Sequence, residues 1–413
     1  MDTSKGKMYI DENELEAFNN FSTYRQMKYI YVIFPPILLI VGSFGNIMVP
    51  IVLYRHSRVI STYVYLISLA IADQTVLIFG TTPKWLQHTF GINIENSSNA
   101  TCKLFAFVGM AFSQIAVWLI VVVTVERMIV VSLPFKAPQH ITVTRAVICV
   151  SVVTIFFLSI NCPLFFTVVL LDSSEDSPEN NSYSNSVCDM RRDFQFPITM
   201  IWSWFDGLFY SYLPCLIIIF ANIIIIHFLR TAHKRRLLMQ CSTVNINSHN
   251  TLVNHSRQTS CNYKPANQSS QQLFMLILVS WVFVLTVIPI SIFKIVNNIV
   301  KKHYPFYLEN QEVMSEFLLI NTVVETFMTT NHSINFFLYC IAGKKFRTYF
   351  LLLLSCSKFS NNSNASIVGA SVLLNSNCSR KFVKSPMELP NRTKKILSND
   401  QGREVLIECC TEV

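Results

Sequence analysis

The chain has 413 residues, carries a formal net charge of +9, and is 51% apolar with only 14% charged side chains. Soluble domains are nearer 25% charged, and an apolar excess of this size cannot be hidden inside one soluble core. A polytopic membrane protein follows, and no nucleic-acid partner is expected.

Residues 1–28 form a polar arm with Asp11, Glu12, Glu14 and Glu16 and no apolar core of the kind a secretory signal needs. The first membrane helix is expected to serve as its own insertion signal. Runs poor in charge then predict seven spans, at about 29–54, 62–83, 104–133, 143–170, 197–229, 270–297 and 313–341. Each is long enough, or nearly so, to cross roughly 30 Å of hydrocarbon as a helix. A short amphipathic segment at 342–355 and a cytoplasmic tail at 356–413 complete the organisation.

Loop charge sets the orientation. Residues 54–61 carry Arg55 and Arg58, and 230–270 carry Arg230, Lys234, Arg235, Arg236, Arg257 and Lys264, with no acid in either. The positive-inside bias makes both cytoplasmic. The opposite face holds Asp172, Glu175, Asp176 and Glu179. An outside amino terminus, an inside carboxyl terminus and a plasma-membrane location are expected. Four glycosylation sequons fall on the outer face, at Asn20, Asn96, Asn99 and Asn180.

Of twelve cysteines, Cys102 and Cys188 are the two placed outside, where oxidising conditions permit a bridge; two free thiols are the alternative. Cys356 is a candidate for acylation or simply a reduced thiol. Segments 240–270 and 357–385, rich in Ser and Asn, have too little apolar surface to offset ordering entropy and are read as mostly disordered.

Polar groups within the spans are the candidate functional residues, because hydrocarbon penalises them. Asp73 lies deep in the second span, with Asn46 in the first and Asn331 and Asn335 in the seventh as available partners. Together they can coordinate a small cation such as sodium, acting as a weak modulator, or an ordered water cluster, or form a purely structural hydrogen-bond network. Glu126 and Arg127 end the third span 25 residues after Cys102, about 37 Å along a helix, so one helix joins the outer mouth to the inner rim. They can pair with each other, or the arginine can reach toward a partner; a simple interfacial role is the alternative. Tyr339 sits near the same rim, and Pro163, Pro214 and Pro289 can kink their helices. Toward the outside, Glu325 suits a cationic ligand group, or pairs with Lys84 in the empty protein. Trp85, Phe105, Phe107, Trp202, Trp204, Phe205 and Phe293 offer an aromatic wall, some of which can instead face lipid; Gly109 and Gln114 complete the candidate ligand set.

Taken in order, these features resemble a rhodopsin-like G-protein-coupled receptor over about residues 29–354. The carriers are Gly45-Asn46, Leu69-Ala70-Ile71-Ala72-Asp73, Cys102 with Cys188, Glu126-Arg127-Met128, Pro214, Phe283 six residues before Pro289, and Asn335-Phe336-Phe337-Leu338-Tyr339. The resemblance implies an all-α seven-helix bundle with a short eighth helix. It implies a receptor without a catalytic group or cofactor, in which ligand binding moves the inner half of helix six and admits a heterotrimeric G-protein at Arg127, with Tyr339 and Asp73 assisting. Receptor kinases and arrestin are the further partners it implies.

Gly109 stands where amine receptors of the family place an aspartate. The stretches Val123–Arg127, Leu133–Ala137 and Ile334–Cys340 are similar to invertebrate neuropeptide receptors of the FMRFamide group. A short amidated peptide is the expected ligand, its guanidinium at Glu325 and its ring in the aromatic mouth. Four departures qualify the signalling route: Val287 replaces the helix-six tryptophan, Asn222 a helix-five tyrosine, Ala116 a hydroxyl beside Asp73, and Phe336 the proline of the seventh-helix motif. An orphan receptor with atypical or constitutive coupling, a binding-only decoy and a transporter are the alternatives; a retinal protein is disfavoured because 313–341 contains no lysine. The terminal Thr411-Glu412-Val413 is similar to a PDZ-domain ligand.

Overall fold

The computed structural model describes residues 21–54, 60–134, 141–171, 187–191, 201–202, 204–248, 269–303, 310–361, 397–398 and 404–405. Asn20, Asn180, Thr411 and Val413 lie outside the described residues, as does the side chain of Cys356.

Seven long helices follow one another: α1 (Ser22–Tyr54), α2 (Ser61–Phe90), α3 (Asn99–Ser132), α4 (Val143–Thr167), α5 (Trp204 through Ser248), α6 (Ser269–His303) and α7 (Gln311–Ala342). Six are long and apolar enough to cross a membrane by length and composition. α7 is equally long, but Asn321, Glu325, Asn331, His332 and Asn335 dilute its hydropathy. An eighth helix, α8 (Lys344–Asn361), follows α7, and β1 (Val168–Leu171) pairs antiparallel with β2 (Val187–Met190). In residues 358–413, Leu397–Ser398 (β3) pairs antiparallel with Glu404–Val405 (β4). α1 begins seven residues before the predicted span, and α5 continues to Ser248, into a segment read from composition as disordered.

The core is a continuous apolar seam. Val49, Leu69, Ile115, Leu119, Ile218, Phe283, Val287 and Phe336 are each at most 2% exposed. The outward faces carry Ile33, Ile40, Phe44, Ile148, Ile155, Phe220 and Leu285, all more than 45% exposed. In a multi-pass membrane protein such a ring faces hydrocarbon, so it needs no protein partner.

Small residues set the approach of α1 to α7. A Cβ on Gly42 would lie 2.8 Å from Ser333 Oγ and 3.0 Å from Ser333 Cα, and one on Gly45 only 2.8 Å from Phe336 Cβ. Small residues in facing positions let membrane helices meet closely without a hydrophobic driving force. Gly42→Val is therefore expected to destabilise the bundle by about 1–3 kcal/mol, read as a lower melting temperature of the purified full chain; an unchanged value would show that α7 can retreat freely.

Two helices contain a wide turn immediately before a proline. In α2, Thr82 N–H donates to the Leu77 carbonyl five residues back, and Pro83 follows. In α5, Leu213 N–H donates to Leu208, and Pro214 follows. A proline ring crowds the carbonyl four residues before it and supplies no N–H. Widening the preceding turn gives that ring room, and such turns recur at functional positions.

Local chemistry fixes the helix ends. At the start of α3, Ser98 Oγ accepts from Thr101 N–H at 3.1 Å while Thr101 Oγ1 accepts from Ser98 N–H at 2.9 Å, a reciprocal cap that presents Cys102 in the first turn. Gly343 joins α7 to α8, where an added Cβ would lie 2.7 Å from the Tyr339 carbonyl. Arg347 then donates to the Ile341 carbonyl at 2.9 Å, and Phe346 and Phe350 pack against Phe336. These contacts seat α8 against the end of α7.

Candidate ligand cavity and switch network

Cys102 and Cys188 are joined by a disulfide that ties the first turn of α3 to β2. Cys188 N–H donates to Asn96 Oδ1 at 3.0 Å, and Leu170 N–H to Asn99 Oδ1 at 3.3 Å, so both sequon side chains lie against this hairpin. Beneath it opens a cavity of about 500 Å³, within the usual range for small-ligand sites. Its walls include Phe79, Phe105, Met110, Leu164 and Trp202, with Gly109 on the α3 side.

The polar centre of the cavity is Glu325 on α7. Lys84 Nζ donates to Oε1 at 2.9 Å and Tyr31 Oη donates to Oε2 at 2.8 Å, with Asn321 Nδ2 a longer 3.3 Å from Oε1. Three helices thus converge on one carboxylate. The Lys84 and Glu325 side chains remain 44% and 22% exposed, so the pair faces the opening rather than a sealed interior. Glu95 and Asp189 also line the cavity, so that among its described lining residues three carboxylates stand with one lysine. Burial pushes the Glu95 carboxyl above the ordinary glutamate range, with Lys84 opposing that shift.

The other expected ligand residues separate. Trp85 packs edge-on against Phe90, and Phe293 packs against Phe317; neither lines the cavity. Trp204 is 46% exposed and turns away. Gln114 is fully buried and belongs to a network: Asn161 Nδ2 donates to its Oε1 at 2.8 Å, and its Nε2 donates to Asp206 Oδ1 at 3.2 Å. Lys294 pairs with Asp206 Oδ2 at 2.5 Å, linking α3, α4, α5 and α6.

Deeper, Asp73 is 1% exposed, with His332 Nδ1 2.8 Å from Oδ1 and Asn335 Nδ2 donating to Oδ2 at 2.7 Å. Asn46 Nδ2 donates to the His332 carbonyl at 3.1 Å. Asn331 is buried in the same helix, and Phe283 and Val287 are fully buried apolar residues one turn apart on α6, before Pro289. Asn222 Nδ2 donates to Ser280 Oγ at 2.9 Å, and Ser211 meets Ser291, so polar contacts join α5 to α6 at several heights.

At the far end, Glu126 and Arg127 form a 2.7 Å ion pair. Ser61 Oγ donates to Glu126 Oε1 at 2.9 Å, and Arg127 donates to Thr62. The start of α2 therefore holds both charges. Tyr339 is buried at the end of α7, its ring edge-on to Phe346. Tyr31, Asn321, His332, Asp206, Lys294, Ser61 and Thr62 are site residues that the sequence reading did not name.

The profile of the 7 transmembrane receptor (rhodopsin family) group matches residues 45–339. The chain is 25% identical over 361 residues to the sex peptide receptor of Drosophila melanogaster, covering 83% of this chain and 77% of that one. It is 28% identical over 327 residues to the human thyrotropin-releasing hormone receptor, covering 77% and 76%. Over 162 residues it is 25% identical to neuropeptide receptor 22 of Caenorhabditis elegans, covering 38% and 37%.

Proposed function

Because the chain belongs to the rhodopsin family of seven-transmembrane receptors, and is a receptor rather than an enzyme, we propose that it is a plasma-membrane receptor for a short extracellular peptide. The peptide carries a basic side chain and an aromatic one, an amidated Arg-Phe terminus being the chemistry that fits best. The relatives named for peptide ligands support the class of ligand. The finer assignment is supported by one observation: Glu325 sits in a cavity among whose described lining residues the acids outnumber the lysines, beside Phe79, Phe105 and Trp202.

In this reading the disulfide end faces outward and the Arg127 end faces the cytoplasm. A guanidinium entering the cavity competes with Lys84 for Glu325, separating α2 from α7 at their outer ends. Asp73 joins the same two helices one layer deeper, so the disturbance has a physical route inward. At the inner end, release of Arg127 from Glu126 and Thr62 presents it to a heterotrimeric G-protein. Arrestin and receptor kinases at the tail, and a PDZ scaffold at its end, extend the same proposal.

The test is an amidated-peptide panel on cells expressing the full chain, read through calcium and cyclic nucleotide. For an activating peptide ending in Arg-Phe-amide, Glu325→Gln is expected to lower potency about tenfold to a hundredfold, since a hydrogen bond to a charged group contributes about 1.5–3 kcal/mol. Equal potency on the parent and the variant would remove the ion pair from the proposal.

A further inference from the structure

Asp73 is the most deeply buried acid described, and a buried carboxylate in a membrane helix needs a partner. A small cation is the partner that the family architecture and the polar composition around Asp73 suggest. The side chains present do not suit one. His332 Nδ1 lies 2.8 Å from Oδ1 and Asn335 Nδ2 donates to Oδ2, so each carboxylate oxygen already faces a nitrogen partner. A hard cation needs oxygen ligands on its approach, and here that approach is taken by the imidazole ring and the amide nitrogen. Ala116, where the family resemblance places a hydroxyl, supplies no oxygen from its side chain.

His332 is well fixed for this role. It is fully buried, its ring reaches Asp73 on α2, and its backbone carbonyl accepts from Asn46 on α1. One residue of α7 thereby ties together three helices. We infer that His332 is a built-in replacement for a metal ion at Asp73: its imidazole fills the ion's place against the carboxylate, and the polar core of this receptor binds no sodium. Sodium then does not modulate the protein, and the restraint between α2 and α7 is covalently part of the chain.

The experiment needs no ligand. Purified full-length protein is unfolded by heat in sodium chloride and in choline chloride at equal ionic strength. The parent is expected to melt at the same temperature in both salts, as is Ala116→Ser, because the ring still fills the site. His332→Ser is expected to gain an upward shift in sodium that disappears in the Asp73→Asn/His332→Ser double variant. A saturable sodium-dependent rise in the parent that Asp73→Asn removes would overturn the inference. So would a sodium response in Ala116→Ser equal to that of His332→Ser, which assigns the exclusion to the missing hydroxyl, or no response in a folded His332→Ser. If His332→Ser does not fold, the parent and Ala116→Ser arms still decide.

Discussion

Full-length protein carrying Cys102→Ser is expected to lose about 4–5 kcal/mol of stability, the chain-entropy value for a cross-link closing a loop of this length. The bridge spans 86 residues and holds β2 over the cavity mouth. Its loss leaves the hairpin held by hydrogen bonds to Asn96 and Asn99 and by the packing of Val168 against the outer end of α3, so ligand affinity should fall together with melting temperature. Cys188→Ser should match it, and the double variant should be no worse than either single one, because all three lack the same bond. A reductant that leaves the melting temperature of the parent unchanged would contradict the expectation.

Glu126→Gln is the second large effect. The carboxylate accepts from Ser61 and pairs with Arg127, whose other described contact is Thr62 on α2. Glutamine keeps the shape but removes the charge, weakening a hydrogen bond to a charged group by about 1.5–3 kcal/mol. If those contacts hold Arg127 back from a G-protein, ligand-independent nucleotide exchange should rise about tenfold or more, following the tenfold per 1.4 kcal/mol of a two-state equilibrium. Thr62→Ala should move in the same direction by less, and Arg127→Ala should abolish exchange with or without ligand. A Glu126→Gln receptor with the parent's basal exchange would show that this cluster does not restrain coupling.

The number and order of the helices were legible because hydrocarbon imposes a length and a composition that few other constraints imitate. The seventh was legible despite its polar residues, because Asn335 through Tyr339 gave it a family position. Contacts between helices were less so. Glu325 with Lys84 was one of two open pairings for that acid, and the structure makes it, yet Tyr31 on the same carboxylate had no sequence signal: it lies in an aromatic-rich stretch like its neighbours. His332, Asp206 and Lys294 did carry a signal, since each is an ionisable group inside a predicted span, and that alone marks a position for attention. Gln114 and Trp204 show the limit of reading residue type without rotation. One points into the seam between four helices and the other away from it, and nothing in their identities distinguishes the two.

Rotation is also what the wide turn in α2 controls. Each residue of an ordinary α-helix advances about 100° around the axis, and the turn at Leu77–Thr81 fits one extra residue into that progression. Everything beyond it, Lys84 included, is indexed by this single insertion. Removing one residue between Leu77 and Thr81 would restore regular winding with the ammonium still facing Glu325, whereas straightening the turn without a deletion would swing it about a quarter of the circumference away. In related chains, a one-residue gap ahead of this proline would therefore preserve which charge the binding chamber presents, while straightening the turn at constant length would retune it, a change of specificity made by winding instead of by exchanging the charge itself.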